Sequence, residues 1–156
     1  MDVDDETDML MEFETGALGS IETSWMAGGH NNDVRFEVNG TEGSIRFTWE
    51  HANEIQFYSR KDPESRAGYR TIIIGPMHPG AEYFWPVAGL GLGYGDAFLV
   101  SIRNLLHALS SGSEASPNFL DGLRACEVVE AAQQSADSGQ WAQVGPASAT
   151  RSGRLA

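Results

Sequence analysis

Residues 34–50, VRFEVNGTEGSIRFTWE, constrain this chain more than any other stretch. Val34, Phe36 and Val38 alternate with Arg35, Glu37 and Asn39; further on, Ile45, Phe47 and Trp49 alternate with Ser44, Arg46, Thr48 and Glu50. A period of two sends successive side chains to opposite faces, so each half reads as a strand with one apolar and one polar face. Asn39-Gly40 and Gly43 lie between the halves and tolerate positive φ, which a turn between twisted strands commonly needs. The spacing predicts a β-hairpin; it says nothing of chemistry.

The flanking chain continues in the same manner. Residues 8–14 alternate with Met9, Met11 and Phe13 on one side, and Thr15-Gly16 turns the chain. Residues 17–26 place Ile21, Thr23 and Trp25 on one face, with Leu18, Ser20, Glu22, Ser24 and Met26 on the other. AGGHNN, residues 27–32, is a loop. Residues 55–58 and 69–74 read as two further strands, the latter rich in β-branched side chains. Between them, residues 60–68 are polar, carry Pro63 and read as an exposed connection.

Residues 75–95 differ, with Pro76, Pro79, Pro86 and six glycines around Tyr83, Phe84, Trp85 and Tyr94. A loop of that length in a compact chain is usually functional or partly disordered. Asp96 is expected to N-cap a helix reaching residue 110, with Phe98, Ile102, Leu105, Leu106 and Leu109 as its apolar stripe and Gly112 at its end. Ser116-Pro117-Asn118 opens a second helix, residues 119–138, whose apolar arc takes in Leu120, Leu123, Val128, Ala131, Ala132 and Ser135. Gly139 closes it, and residues 140–144 read as a short last strand. Residues 1–144 are expected to form the domain and residues 145–156 a flexible tail.

Strands in a run followed by helices indicate an α+β fold: an open-faced, mainly antiparallel sheet of about six or seven strands with two C-terminal helices packed on one face. Some strands are bulky on both faces, as where Leu18 and Met26 oppose Trp25. Two helices cannot cover both faces, so the bare one is expected to make a homo-oligomer, a dimer or tetramer. At 156 residues the chain is about one domain, long enough to bury a core without staples. Its formal net charge of −12 makes nucleic acid and anionic membranes poor partners. Cys126 is the single cysteine, so no internal disulfide can form. It is expected to be a small buried helix side chain in an intracellular, cytoplasmic protein. No run approaches the ~20 apolar residues of a membrane span, and the acidic MDVDDETD start lacks the features of a signal peptide.

Motifs for chemistry are sparse. GLGLGYG, residues 89–95, fails the dinucleotide fingerprint G-x-G-x-x-G: counting from Gly89 the sixth position is Tyr94, and from Gly91 it is Asp96. No phosphate loop, no nucleophile elbow and no spaced carboxylate pair is present, which leaves a hydrolase without its parts. His30, His51, His78 and His107 are far apart and have no helical partner, so no metal site is expected. His51 reads as turn surface and His107 as a helix-edge residue. His30 and His78 lie in glycine-rich loops, where Asn31, Asn32, Trp85 and Tyr94 could join them. An imidazole, amides and aromatic faces suit a small polyhydroxylated ligand, offering donors and acceptors beside a flat apolar wall. Ordinary capping and packing roles would account for the same residues.

TGALGSIETSW (residues 15–25), RFEVNGTEGSIRF (35–47), YGDAF (94–98), SPNFLDGL (116–123) and SADSGQWAQV (135–144) come in an order and spacing that resembles the C-terminal domain of the glucose–fructose oxidoreductase / inositol dehydrogenase / MocA family. The resemblance implies a substrate-binding and oligomerisation domain from an NAD(P)-dependent oxidoreductase acting on a sugar or polyol hydroxyl. It implies NAD or NADP in the full-length enzyme. It also points to Asn32 and Tyr94 as substrate contacts, to which the loop argument adds His30. The family's Rossmann fingerprint, its Glu-Lys-Pro motif and its Asp-x-x-x-His element have no match here. The chain is therefore expected to be a fragment or separated domain that binds no dinucleotide and carries no catalytic residue of its own. The competing expectation is a stand-alone α+β module that only binds a ligand or dimerises.

Overall fold

A computed structural model describes residues 4–81 and 90–145. In chain order the elements are β1 (Glu6–Glu12), β2 (Leu18–Ser24), β3 (Arg35–Asn39), β4 (Gly43–Thr48), β5 (Glu54–Ser59), β6 (Arg70–Ile73), α1 (Tyr94–Ser111) and α2 (Phe119–Ser138). Single 3₁₀ turns occupy Trp49–His51 and Glu64–Arg66. The α+β class and the antiparallel pairing hold. The six strands pair as two ladders, however: β1 with β2, and β3-β4-β5-β6 in that order. Alternation predicts strands but not which strands meet, and residues 25–34, between the two ladders in the chain, belong to no strand. The expected seventh strand at residues 140–144 is not one. There Gly139 takes a left-handed conformation (φ 67°), and the Ser135 hydroxyl donates to the Gln140 carbonyl at 2.7 Å, tying that segment to the helix end.

The chain divides into two compact units, Trp25–Ser101 and Met1–Ser24 with Ile102–Ala156, the division falling within α1. In the first unit the register places Phe36, Val38, Ile45, Phe47, Ile55, Phe57 and Ile72 on one face of the four-stranded sheet. Phe36 stacks on its cross-strand partner Phe47 with ring centroids 5.5 Å apart. The other face is mostly polar. Arg46 pairs with Glu37 at 2.9 Å and lies 3.9 Å over the Tyr69 ring, whose hydroxyl donates to Glu37 at 3.4 Å. The turn between β3 and β4 closes with the Gly40 amide donating to the Gly43 carbonyl at 2.8 Å. Neither glycine has positive φ. Gly43 is needed for another reason: a Cβ there would collide with the Tyr58 carbonyl oxygen of β5.

In the second unit β1 and β2 form a hairpin through Gly16, whose φ of 81° matches its expected turn role. The Asn118 side chain accepts from the Leu120 and Asp121 amides while the Asp121 carboxylate accepts from the Asn118 amide, a complete capping box. Val128, Ala132 and Ser135 are half-buried beside the buried Ala131, so the predicted arc holds in its second half, while Leu120 and Leu123 are exposed. Cys126 is exposed, contrary to expectation: it lies outside the i, i+3, i+4 arc that holds Val128, Ala131, Ala132 and Ser135. Among the described residues the buried apolar side chains are all small, Ala81, Ala108 and Ala131. The α1 stripe of Phe98, Ile102, Leu105, Leu106 and Leu109 is exposed.

Candidate functional site

Residues 27–33 run into β3, and the end of β4 clamps them. The His30 amide donates to the Ala27 carbonyl at 3.0 Å, making a tight turn. Asn32 follows with φ 56°, a left-handed conformation that asparagine adopts more readily than most residues. At the end of β4 the Thr48 hydroxyl donates to Asp33 Oδ1 at 2.6 Å, and from the 3₁₀ turn that follows the Glu50 carboxylate accepts the Asn31 amide at 2.9 Å. Two side chains from the strand end thus hold the loop, Thr48 as a donor and Glu50 as an acceptor.

His30 sits inside this clamp. Its Nδ1 is 3.6 Å from Asp33 Oδ2 and 3.7 Å from Glu50 Oε2, and its side chain stays 40% exposed. The Asp33 side chain is only 5% exposed, and Arg35 Nε lies 3.8 Å from its Oδ2. The Thr48 hydroxyl bond is the main force holding the Asp33 carboxyl below its ordinary pKa; burial opposes it, and the charges of Arg35 and His30 with the Glu50 amide add to it. His30, Asp33 and Glu50 could together approach a cation, their ligand atoms lying within 4.8 Å of one another. Asp33 is already engaged on both oxygens, by Thr48 and Arg35.

Tyr94 is held differently. It opens α1 and sets its ring edge-on to Trp49, centroids 6.4 Å apart, and to Phe98 at 5.0 Å. Trp49 in turn meets Phe47 edge-on at 6.4 Å, so an aromatic row runs from the apolar sheet face to the start of α1. The Asn53 side chain accepts the Leu92 amide at 2.6 Å while its backbone carbonyl accepts the Ile74 amide at 2.7 Å, pinning the chain just before Tyr94 to the end of β6. Asp96 is not the N-cap of α1. It lies within the first turn and accepts the Gly93 amide at 2.7 Å, which moves the start of the helix forward to Tyr94.

Of the three proposed contact residues, the structure thus sets His30 and Asn32 on one loop, while Tyr94 touches Trp49, the chain neighbour of the clamping Thr48. Thr48 is extended, so the side chains of Thr48 and Trp49 leave opposite faces of the strand end. Among the described residues no hydrogen bond, ion pair or ring contact joins Tyr94 to the loop. His78 turns inward, its Nδ1 lying 3.1 Å from the Gly75 amide, an ordinary turn role. Trp85 falls outside the described residues. Sequence reasoning missed Asp33, Thr48, Glu50 and Asn53. The signal available for them was position: each is a polar residue at or within two residues of a strand end, where loop amides need acceptors.

Fold and sequence pattern together define the class. The chain belongs to the oxidoreductase family named above, as its C-terminal alpha/beta domain, with residues 2–144 matching. Levoglucosan dehydrogenase from Pseudarthrobacter phenanthrenivorans is 39% identical over 144 residues, 92% of this chain and 37% of the relative. A levoglucosan dehydrogenase solved in complex with NADH and levoglucosan superposes with a TM-score of 0.89 at 39% identity, covering 92% of this chain and 39% of that one. An oxidoreductase domain protein from Kribbella flavida gives 0.87 at 36% identity, covering 92% and 37%. The chain therefore spans well under half the length of these relatives. Among the described residues no helix is long and apolar enough to cross a membrane.

Proposed function

We propose that this chain is the substrate-facing domain of an NAD(P)-dependent oxidoreductase that acts on a sugar or polyol hydroxyl. The observation that carries the reading is family membership over residues 2–144 together with a likeness to dehydrogenases solved with NADH and levoglucosan and with NADH and L-sorbose. The clamped loop supports it by carrying both a partly exposed imidazole and the exposed Asn32, with Tyr94 as a separate exposed aromatic. Such groups exchange hydrogen bonds with vicinal hydroxyls and stack on a sugar's apolar face.

A nicotinamide cofactor would supply the hydride acceptor in the whole enzyme. This chain lacks the glycine fingerprint for it, since residues 89–95 do not fit, so the domain alone binds no dinucleotide and turns nothing over. Its own residues bind and orient the hydroxyls. The part of the sheet that the helices leave bare carries the contact between copies, with Phe36 and Val38 among its exposed side chains.

Titrating the chain with levoglucosan and with L-sorbose, followed by amide NMR, tests the reading. Shifts concentrated at residues 27–33 and Tyr94 are expected, reduced in Asn32→Gly, which keeps the left-handed backbone and removes the amide. Shifts confined to other surfaces would reject these contacts. Calorimetry with NADH is expected to show no binding, and a micromolar Kd would defeat the assignment of cofactor binding to another part of the enzyme.

A further inference from the structure

We infer that Asp33 and Glu50 are positioning residues that hold His30 as its Nδ1–H tautomer and so turn Nε2 into a hydrogen-bond acceptor for a ligand hydroxyl. This rests on the reading of residues 27–33 as a sugar-facing loop and adds which atom of the imidazole does the work.

The geometry decides between the tautomers. A neutral imidazole carries a proton on one nitrogen and a lone pair on the other. At His30 the Nδ1 edge faces two carboxylate oxygens, Asp33 Oδ2 at 3.6 Å and Glu50 Oε2 at 3.7 Å. A lone pair there would be repelled by both; a proton there is attracted by both, and a few tenths of an ångström brings either into hydrogen-bond range. Neither carboxylate is free to swing away. Glu50 spends its other oxygen on the Asn31 amide at 2.9 Å, and Asp33 spends its other oxygen on the Thr48 hydroxyl at 2.6 Å. Among the described residues Arg35, 3.8 Å from Asp33 Oδ2, is the other charged group within ion-pair reach of the cluster and offsets part of its negative charge. With Nδ1 committed inward, Nε2 is the nitrogen left for a ligand, and as a lone-pair acceptor it selects a hydroxyl that donates. Which ring nitrogen carries the proton is set by the hydrogen bonds the ring makes, and a carboxylate beside Nδ1 favours the Nδ1–H form.

The test is a long-range ¹H–¹⁵N spectrum of the His30 ring in the 156-residue chain, assigned with His30→Gln and recorded at a pH where the ring is neutral. The expected result is a protonated Nδ1 and a bare Nε2. Glu50→Gln keeps an acceptor for Asn31 but removes the charge, and with Asp33→Asn it is expected to shift the ring toward the Nε2–H form while loop amide resonances stay in place. A native ring already in the Nε2–H form overturns the proposal, as does a double variant whose ring pattern is unchanged. Stoichiometric zinc capture by the native chain, lost in Glu50→Gln, would also overturn it, because the three groups would then be metal ligands. Levoglucosan addition separates the two readings: an Nδ1–H ring that no sugar perturbs upholds the positioning role and rejects the sugar contact.

Discussion

Two residues show how much turns on single atoms. Gly43 reads in the sequence as a turn glycine, yet its φ is unremarkable and its role is to let β4 lie against β5, because a Cβ would strike the Tyr58 carbonyl. Backbone cannot step aside as a flexible side chain can, so Gly43→Ala is expected to cost about 1–3 kcal/mol, the usual range for forced overpacking, read as a lower urea midpoint. Asp33 makes a prediction about acid. Its charged form is favoured in the folded state, so its carboxyl titrates below the ordinary value near 3.8. The stability it adds is therefore complete above that value and lost as pH falls through the lower folded one. Thr48→Val removes the largest cause of the depression. In that variant the Asp33 carboxyl resonance is expected to titrate at higher pH, and acid unfolding to begin at higher pH. An unchanged titration would mean that Arg35 and His30, not the hydroxyl, hold the carboxylate.

Elements were legible where local chemistry alone makes them. The bounds of α2 follow from Asn118 at one end and Gly139 at the other, since capping is settled within a few residues of chain. The start of α1 was not, because an acidic residue near a helix start can serve as N-cap or reach back from the first turn, and Asp96 does the second. Strand pairing was the least legible, since alternation carries no partner label; hence two ladders in place of one sheet. The β1–β2 ladder also carries a defect visible only in register: Asp8 faces Glu22 directly. Like charges opposite one another weaken a hairpin, and an opposite pair contributes roughly 0.2–1 kcal/mol. Glu22→Lys is therefore expected to raise the thermal midpoint at low salt, with the gain shrinking at high salt. A gain that salt leaves untouched would point to side-chain propensity instead.

At the scale of the whole molecule, family and class were readable because they rest on motif order across the chain, whereas the clamp around His30 was not, because its partners Asp33, Thr48 and Glu50 come together only when β3 and β4 pair. The same pairing gathers an apolar face that the described residues leave partly bare, with Phe36 at 50% and Val38 at 57% exposure. Water contact with that much aligned hydrocarbon is unfavourable at about 25 cal/mol per Å², and a second copy offers an identical face. Opposing this, each copy carries a formal charge of −12, so two copies repel, and salt screens that repulsion without weakening apolar contact. Light scattering is therefore expected to give twice the chain mass or more, with association tightening as salt rises. Phe36→Asp puts a charge in the middle of the contact and is expected to return the chain to monomer at matched concentration, its fold checked by the retained hairpin amide pattern. If the native chain stays monomeric at high concentration and high salt, that face is not where copies meet.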